Sequence, residues 1–408
     1  MLRSHLLTIV LYIASFGAHA EEFPIDQLVP KVVTLASADQ QYALYLPPGY
    51  SGSRQWPVLI MLDPRGRAEP TLARVVEGAR RNGWIVISSY QSRSDTLESI
   101  TLFALQALLD ESDKRFSTDR RRLYLAGMSG TAKTLWKVVK PLQGSLAGMI
   151  GCAGGRPAEL PRLVAPAPAF YGCTGTHDFN HLEMKDLEDQ LDALESAQHL
   201  LEFNGGHGWP EQGLDGAIDW LQLSAIRSGL AAPDKDWIDV QFNAAMRDAL
   251  AQAGDHQQGR ALQRIAADFK NLHDTTGLSD QAARLLASPV AKASKAREAQ
   301  LREAERKYAT VVNDWYTRML GLFPDGRPQD PPPKAQSLQA LKIRSLQKLA
   351  AGPDAELADS AARRLELAFA ASNSYLPAAA AQRKQPNIVT ASRAVAAAIF
   401  PERANGAD

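Results

Sequence analysis

Short apolar runs punctuate the first half of the chain, at 32–36, 41–46, 58–62, 84–89, 123–126, 146–152, 169–174 and 200–203. Between them, at 70–81, 97–113, 131–140, 182–198 and 214–227, apolar residues return every three or four positions. The first pattern is that of strands buried on both faces, the second that of amphipathic helices. Their alternation predicts an α/β fold in which helices cover both faces of a mostly parallel sheet. The connections are short, and no long insertion follows the run at 146–152.

Past Ser228 the pattern changes. Only 8 of the 28 glycines lie beyond it, and alanine and charged residues dominate. A long helix is predicted over 291–322, where Leu301, Ala304, Tyr308, Val311 and Trp315 are spaced alternately by three and four, a helix-packing seam. The proline-rich stretch 324–333 breaks it. Further helices are expected at 338–349, 354–372 and 387–400, with Leu357, Ala361, Leu365 and Ala368 on one face, but no repeat period is legible. The organisation expected is an α/β domain over 21–228 and an all-α domain over 229–408. The apolar stripes of the second must be buried partly within it and partly against the first.

Residues 1–20 stand apart. Arg3, an apolar stretch over 6–16 and Ala18-His19-Ala20 before Glu21-Glu22 have the layout of a secretory signal with an A-x-A cleavage site, too short and wrongly flanked for a spanning helix. The expectation is an exported protein, periplasmic or secreted, with no stable membrane anchor. A formal net charge of +0 and a pI of about 7.1 remove the electrostatic case for nucleic acid as a partner. Cys152 and Cys173 fall near the ends of two runs expected to be neighbouring strands. In an oxidising compartment they are a disulfide candidate, the alternative being two buried thiols.

The candidate chemistry begins at Gly127-Met128-Ser129-Gly130, where an apolar run enters a tight turn and a helix-compatible stretch follows. This is the layout of a nucleophile elbow, which lifts a serine oxygen above a sheet. Two later runs end in glycine-rich loops, one carrying Gly175-Thr176-His177-Asp178, the other Asn204-Gly205-Gly206-His207-Gly208-Trp209. Chemistry in α/β sheets gathers at such strand ends. Ser, Asp, His is also the chain order used by α/β-hydrolases.

With Leu44-Tyr45-Leu46-Pro47-Pro48-Gly49-Tyr50 and the run Trp56 to Leu62, these pieces make residues 40 to about 222 resemble α/β-hydrolases of the esterase and polyhydroxybutyrate-depolymerase-like branch. The resemblance implies a triad of Ser129, Asp178 and His207, acyl transfer through serine, and a small-molecule or polymeric ester as substrate. Thioesters and peptide bonds share that chemistry. The N–H of Gly130 would supply one oxyanion donor.

Two departures are visible. Thr131 stands where the elbow usually has a small residue, and Asp63-Pro64-Arg65-Gly66-Arg67 stands where related esterases carry His-Gly. Pro64 has no N–H, so the second oxyanion donor expected is Arg65, failing that Gly66, with the Asp63 carboxylate turned away and paired. Trp209 is expected either at the mouth of an acyl pocket, as a substrate-binding residue, or packed on its own loop. His207 could instead be a hydrogen-bonded structural histidine. Glu183 and Asp186 read as the solvated face of a helix. His177 and His181 lie a helical turn apart, but without a third well-placed ligand no metal is expected, and no cofactor. The competing function is a non-catalytic exported protein whose helical domain binds a partner that the sequence does not identify.

Overall fold

A computed structural model describes residues 23–321 and 331–404. The signal-like segment 1–20 and most of the proline-rich stretch lie outside the described residues. One sheet is built from β1 (Leu28–Val33), β2 (Gln41–Tyr45), β3 (Trp56–Leu62), β4 (Ile85–Ser89), β5 (Thr118–Met128), β6 (Leu146–Cys152), β7 (Ala169–Gly175) and β8 (Gln198–Phe203). Their spatial order is β1-β2-β4-β3-β5-β6-β7-β8. β2 runs antiparallel to both of its neighbours, and every pairing from β4 to β8 is parallel. All seven residues of β3 and of β7 are buried, as continuous apolar runs require in a sheet covered on both sides.

Six helices accompany the sheet: α1 (Ala68–Ala73), α2 (Val76–Asn82), α3 (Glu98–Arg115), α4 (Gly130–Val138), α5 (His181–Ala193) and α6 (Asp215–Arg227). Leu72, Ala79 and Ile218 from α1, α2 and α6 fill one face of the sheet. Leu108, Leu135 and Leu187 from α3, α4 and α5 fill the other. This is the α/β-hydrolase fold, followed by an all-helical region. The single helix expected over 70–81 is two, and Gly83 in the left-handed region (φ 68°) ends the second. β1 lies a few residues before the run at 32–36, because half-exposed edge positions blur its apolar pattern.

The helical region comprises α7 (Lys235–Leu250), α8 (Asp255–Asp268), α9 (Leu278–Ala287), α10 (Pro289–Met319), α11 (Lys334–Ala340), α12 (Ile343–Ala350) and α13 (Ala355–Ala370). A π-helical turn, Ala371–Tyr375, leads on to α14 (Leu376–Gln382), α15 (Pro386–Ile399) and α16 (Pro401–Ala404). Two cores hold it. Leu262 and Ile265 of α8, with Phe269 just past its end, pack with Leu223 and Ile226 of α6, so one core is continuous with the α/β sheet's own helix. The other gathers α10 with α11 to α15. The buried seam of α10 is Glu305, Tyr308, Val312, Trp315 and Met319, rather than one through Val311, and it contains a carboxylate.

The two regions also meet through charge. Asp186 receives Arg306 at 2.5 Å and Asp189 receives Arg302 at 2.6 Å, both from α10, while Glu188 and Asp192 receive Arg260 of α8 at 3.1 and 2.9 Å. Asp186 stays 37% exposed, as a solvated face requires, but it is ion-paired there rather than free. The acidic side of α5 is a docking strip. Glu183 pairs with Lys133 of α4.

Cys152 and Cys173 are joined by a disulfide across β6 and β7, where they are registered opposite one another with Cα atoms 4.5 Å apart. The bond closes a loop with a sequence separation of 21. Replacing both cysteines by alanine is expected to lower unfolding free energy by about 3 kcal/mol, the chain-entropy value for a loop of that size. Urea denaturation of the oxidised protein and the double variant checks this. Two reactive thiols in the unreduced, denatured wild type would contradict the bond itself.

Candidate active site

The elbow forms because β5 runs straight into α4 with one residue of left-handed backbone between them. That residue is Ser129, at φ 53° and ψ −126°, a conformation an L side chain rarely adopts. The Ser129 N–H donates to Cys152 O at 2.8 Å. The neighbours must be small. A Cβ on Gly127 would lie 2.7 Å from Ala132 N, and one on Gly154 would lie 2.4 Å from Ser129 O. Thr131 is fully buried and ties the turn to the sheet: its Oγ1 accepts the Met128 N–H at 3.0 Å and lies 2.6 Å from Leu62 O, its acceptor. A threonine at this position thus adds a hydroxyl brace where close packing alone would ask for glycine.

The other two residues arrive from the ends of β7 and β8. His207 Nε2 lies 2.9 Å from Ser129 Oγ, and His207 Nδ1 lies 2.9 Å from Asp178 Oδ1. Asp178 is fully buried, and its Oδ1 also accepts the Asn180 N–H at 2.8 Å. With Asp178 ionised, Nδ1 carries the imidazole proton and Nε2 faces the serine hydroxyl as an acceptor. Two further residues fix these loops, and nothing in the sequence pattern singled them out. Phe179 stacks on the imidazole with ring centroids 4.2 Å apart, and the Asn180 amide donates to Ala153 O at 2.8 Å.

The loop after β3 pairs Asp63 as expected and differs in where its backbone donors go. Asp63 is buried and turned inward, and it is paired with Arg67 at 2.9 Å. Its Oδ1 also accepts the N–H of Arg65 at 2.8 Å, while the Gly66 N–H donates to Asp63 O at 3.0 Å. Neither N–H is therefore free to face Ser129, and the assignment of Arg65 as an oxyanion donor is corrected. An aspartate in place of histidine at the start of this loop captures the nearby backbone donor for itself. Trp209 is corrected as well. It is buried, and its Nε1–H donates to Asp63 Oδ2 at 3.0 Å, which locks it onto the loop after β3 instead of its own loop. Gly130, by contrast, heads α4, where the first N–H groups have no intrahelical acceptor. Ser94 covers it, close enough that a Cβ on Gly130 would lie 2.6 Å from the Ser94 Cβ.

His177 and His181 do not converge. The first reaches Asp359 of α13 and the second Glu202 of β8, each at 2.9 Å. No group of three or more His, Cys, Asp or Glu residues able to hold a metal exists among the described residues. Tyr375, in the π-helical turn, keeps a solvent-facing edge, yet burial together with the charges of Asp95, Glu183 and Asp178 pushes its phenol up to about 12. The helical region therefore reaches the neighbourhood of the site.

Burial alone would raise the Asp63 carboxyl, but the Arg67 guanidinium and the Arg65 N–H outweigh it and hold the group below its usual 3.8. A depressed carboxylate stabilises the fold above the unfolded-state value and loses that contribution as pH falls through the folded one. Asp63→Asn is accordingly expected to cost about 1–3 kcal/mol at pH 7, the penalty for degrading charged hydrogen bonds in a buried site. The gap to wild type in denaturation midpoint should close below pH 3.8. A gap independent of pH would contradict this reading.

No family model matches this chain, and no curated protein does. Among solved structures it is similar to an S-formylglutathione hydrolase from Staphylococcus aureus, at 14% identity over 49% of this chain and 98% of that one, with a TM-score of 0.38. It is also similar to a Bacillus cereus carboxylesterase, at 20% identity over 46% and 96% of the two chains, TM-score 0.38. Esterase 2 of Thermogutta terrifontis, bound to butyrate, matches at 12% identity over 51% and 96%, again with a TM-score of 0.38. Similarity at that level is no argument about activity, and the α/β-hydrolase fold rests on the strand order and the turn at Ser129.

Proposed function

We propose that this protein is a serine hydrolase that cleaves carboxylic esters through an acyl-Ser129 intermediate. The observation that supports it is the unbroken chain from Ser129 Oγ to His207 to the buried Asp178, 2.9 Å at each link, on a turn that holds the serine in a strained backbone. In this reading His207 Nε2 takes the hydroxyl proton as Oγ attacks the ester carbonyl. Asp178 stabilises the imidazolium, which then protonates the leaving alcohol. Water attacks the acyl-serine by the same route, with His207 as base, releasing the acid and restoring Ser129. The N–H of Gly130, at the head of α4, is the oxyanion donor assigned here.

Export belongs to the same reading: the layout of residues 1–20 is that of a secretory signal, and a disulfide such as Cys152–Cys173 persists in oxidising compartments. One observation favours the rival, a non-catalytic protein whose helical region binds a partner. The Arg65 N–H is committed to Asp63, which leaves a single assigned oxyanion donor.

A short-chain p-nitrophenyl ester and a fluorophosphonate probe separate the two. Wild type is expected to turn over the ester and to carry the probe on the peptide containing Ser129. Ser129→Ala should abolish labelling and lower turnover by about a thousandfold or more, and Asp178→Asn should approach that loss by upsetting the tautomer of His207. Wild-type turnover in Ser129→Ala would exclude the mechanism. Absence of both turnover and adduct in wild type would leave the non-catalytic reading standing.

A further inference from the structure

The loops that carry Asp178 and His207 meet at one peptide group, the one between Thr176 and His177. Its N–H, on His177, donates to Gly205 O at 2.9 Å, two residues before His207. The preceding N–H, on Thr176, donates to Phe203 O at 2.9 Å. The two loops are pressed together here, since a Cβ on Gly175 would lie 2.3 Å from Gly205 O. The carbonyl of that same peptide, Thr176 O, accepts a hydrogen bond from the helical region: Arg363 Nη1 of α13 reaches it at 2.7 Å.

We infer that Arg363 is a positioning residue for the Asp178–His207 pair, so that the helical region is a working part of the active site. The guanidinium is itself held rigidly. Its Nε and Nη2 donate to Glu305 Oε1 of α10 at 3.1 and 2.7 Å, and the two side chains are 13% and 6% exposed. A charged donor on the carbonyl polarises the peptide and strengthens the bond that its N–H makes to the histidine loop. The spacing between Asp178 and His207 is therefore set from outside the sheet. Asp359, one turn earlier on α13, adds a second grip at His177 Nε2, 2.9 Å away.

The inference rests on the hydrolase reading for its kinetic test, though not for its spectroscopic one. Arg363→Ala alone would leave Glu305 buried without a partner and risks misfolding. The main variant is therefore Arg363→Met with Glu305→Leu, which removes the clamp and refills the space. Steady-state ester hydrolysis should show kcat down about tenfold to a hundredfold with KM within about twofold, the pattern of a misplaced catalytic pair. Arg306→Ala breaks a different contact between the two regions and should leave kcat unchanged. Methylguanidinium in the millimolar range should restore part of kcat to Arg363→Ala. Unchanged kcat in a folded double variant, or an equal loss in Arg306→Ala, would overturn the inference. Independently of turnover, proton NMR of the wild type should show the deshielded Nδ1 proton that His207 shares with Asp178. That signal should shift or vanish in the double variant, and its persistence there would refute the positioning role even if the protein hydrolysed no ester at all.

Discussion

One residue of left-handed backbone governs this architecture. Holding Ser129 at φ 53° costs about 1–3 kcal/mol relative to a relaxed serine. That conformation persists only because its surroundings leave no alternative. β6 takes the Ser129 N–H through Cys152 O, Thr131 ties the turn back to the end of β3, and Gly127 and Gly154 let the backbone close to contact distance. Cys152 is in turn bonded to Cys173, on the strand that leads into the Asp178 loop. The strained turn and the acid loop are thus braced by a single covalent link between adjacent strand ends.

The parts of this arrangement that were legible in the sequence are those in which one residue type has one plausible job. Continuous apolar runs became central strands, and polar residues stranded in glycine-rich loops after such runs met above the sheet. Glycines marked where backbone had to approach backbone. β1 was misplaced because an edge strand faces solvent over much of its length, which erases the apolar signal used to find it. α7 left no distinct stripe to read, because only two of its side chains, Ile238 and Ala249, are buried.

Charged residues resisted reading for a different reason. A sequence gives the identity of a side chain but not the partner that makes its burial tolerable. Asp63 was expected to be paired, and it is, with Arg67; but it also collects Trp209 and the Arg65 N–H, and so takes up the donor that Pro64's missing N–H had suggested. Asp186 looked solvated on a helix whose acidic side is in fact a dock for arginines of α10. Glu305 fell in the middle of an apolar seam and was invisible as a core position because its partner, Arg363, comes from a helix some sixty residues away. For Asp186 and Glu305 the deciding partner is far along the chain, and for Asp63 the Trp209 bond is too, so a periodicity has no access to it.

Those long-range charges change what kind of object the chain is. A helical region joined only through apolar packing could drift relative to the sheet with little consequence for the loops above it. Here the join includes a continuous core through α6 and a strip of ion pairs along α5. It also includes a directional hydrogen bond onto a main-chain carbonyl, Thr176 O, where the Asp178 and His207 loops meet. The last of these is the most exacting, because a charged donor held at two of its nitrogens has little freedom to follow a moving loop. Arg363 of α13 is therefore tied at Thr176 O to the loop that carries Asp178. The boundary suggested by composition at Ser228 divides two patterns of sequence, while the forces that shape the site cross it.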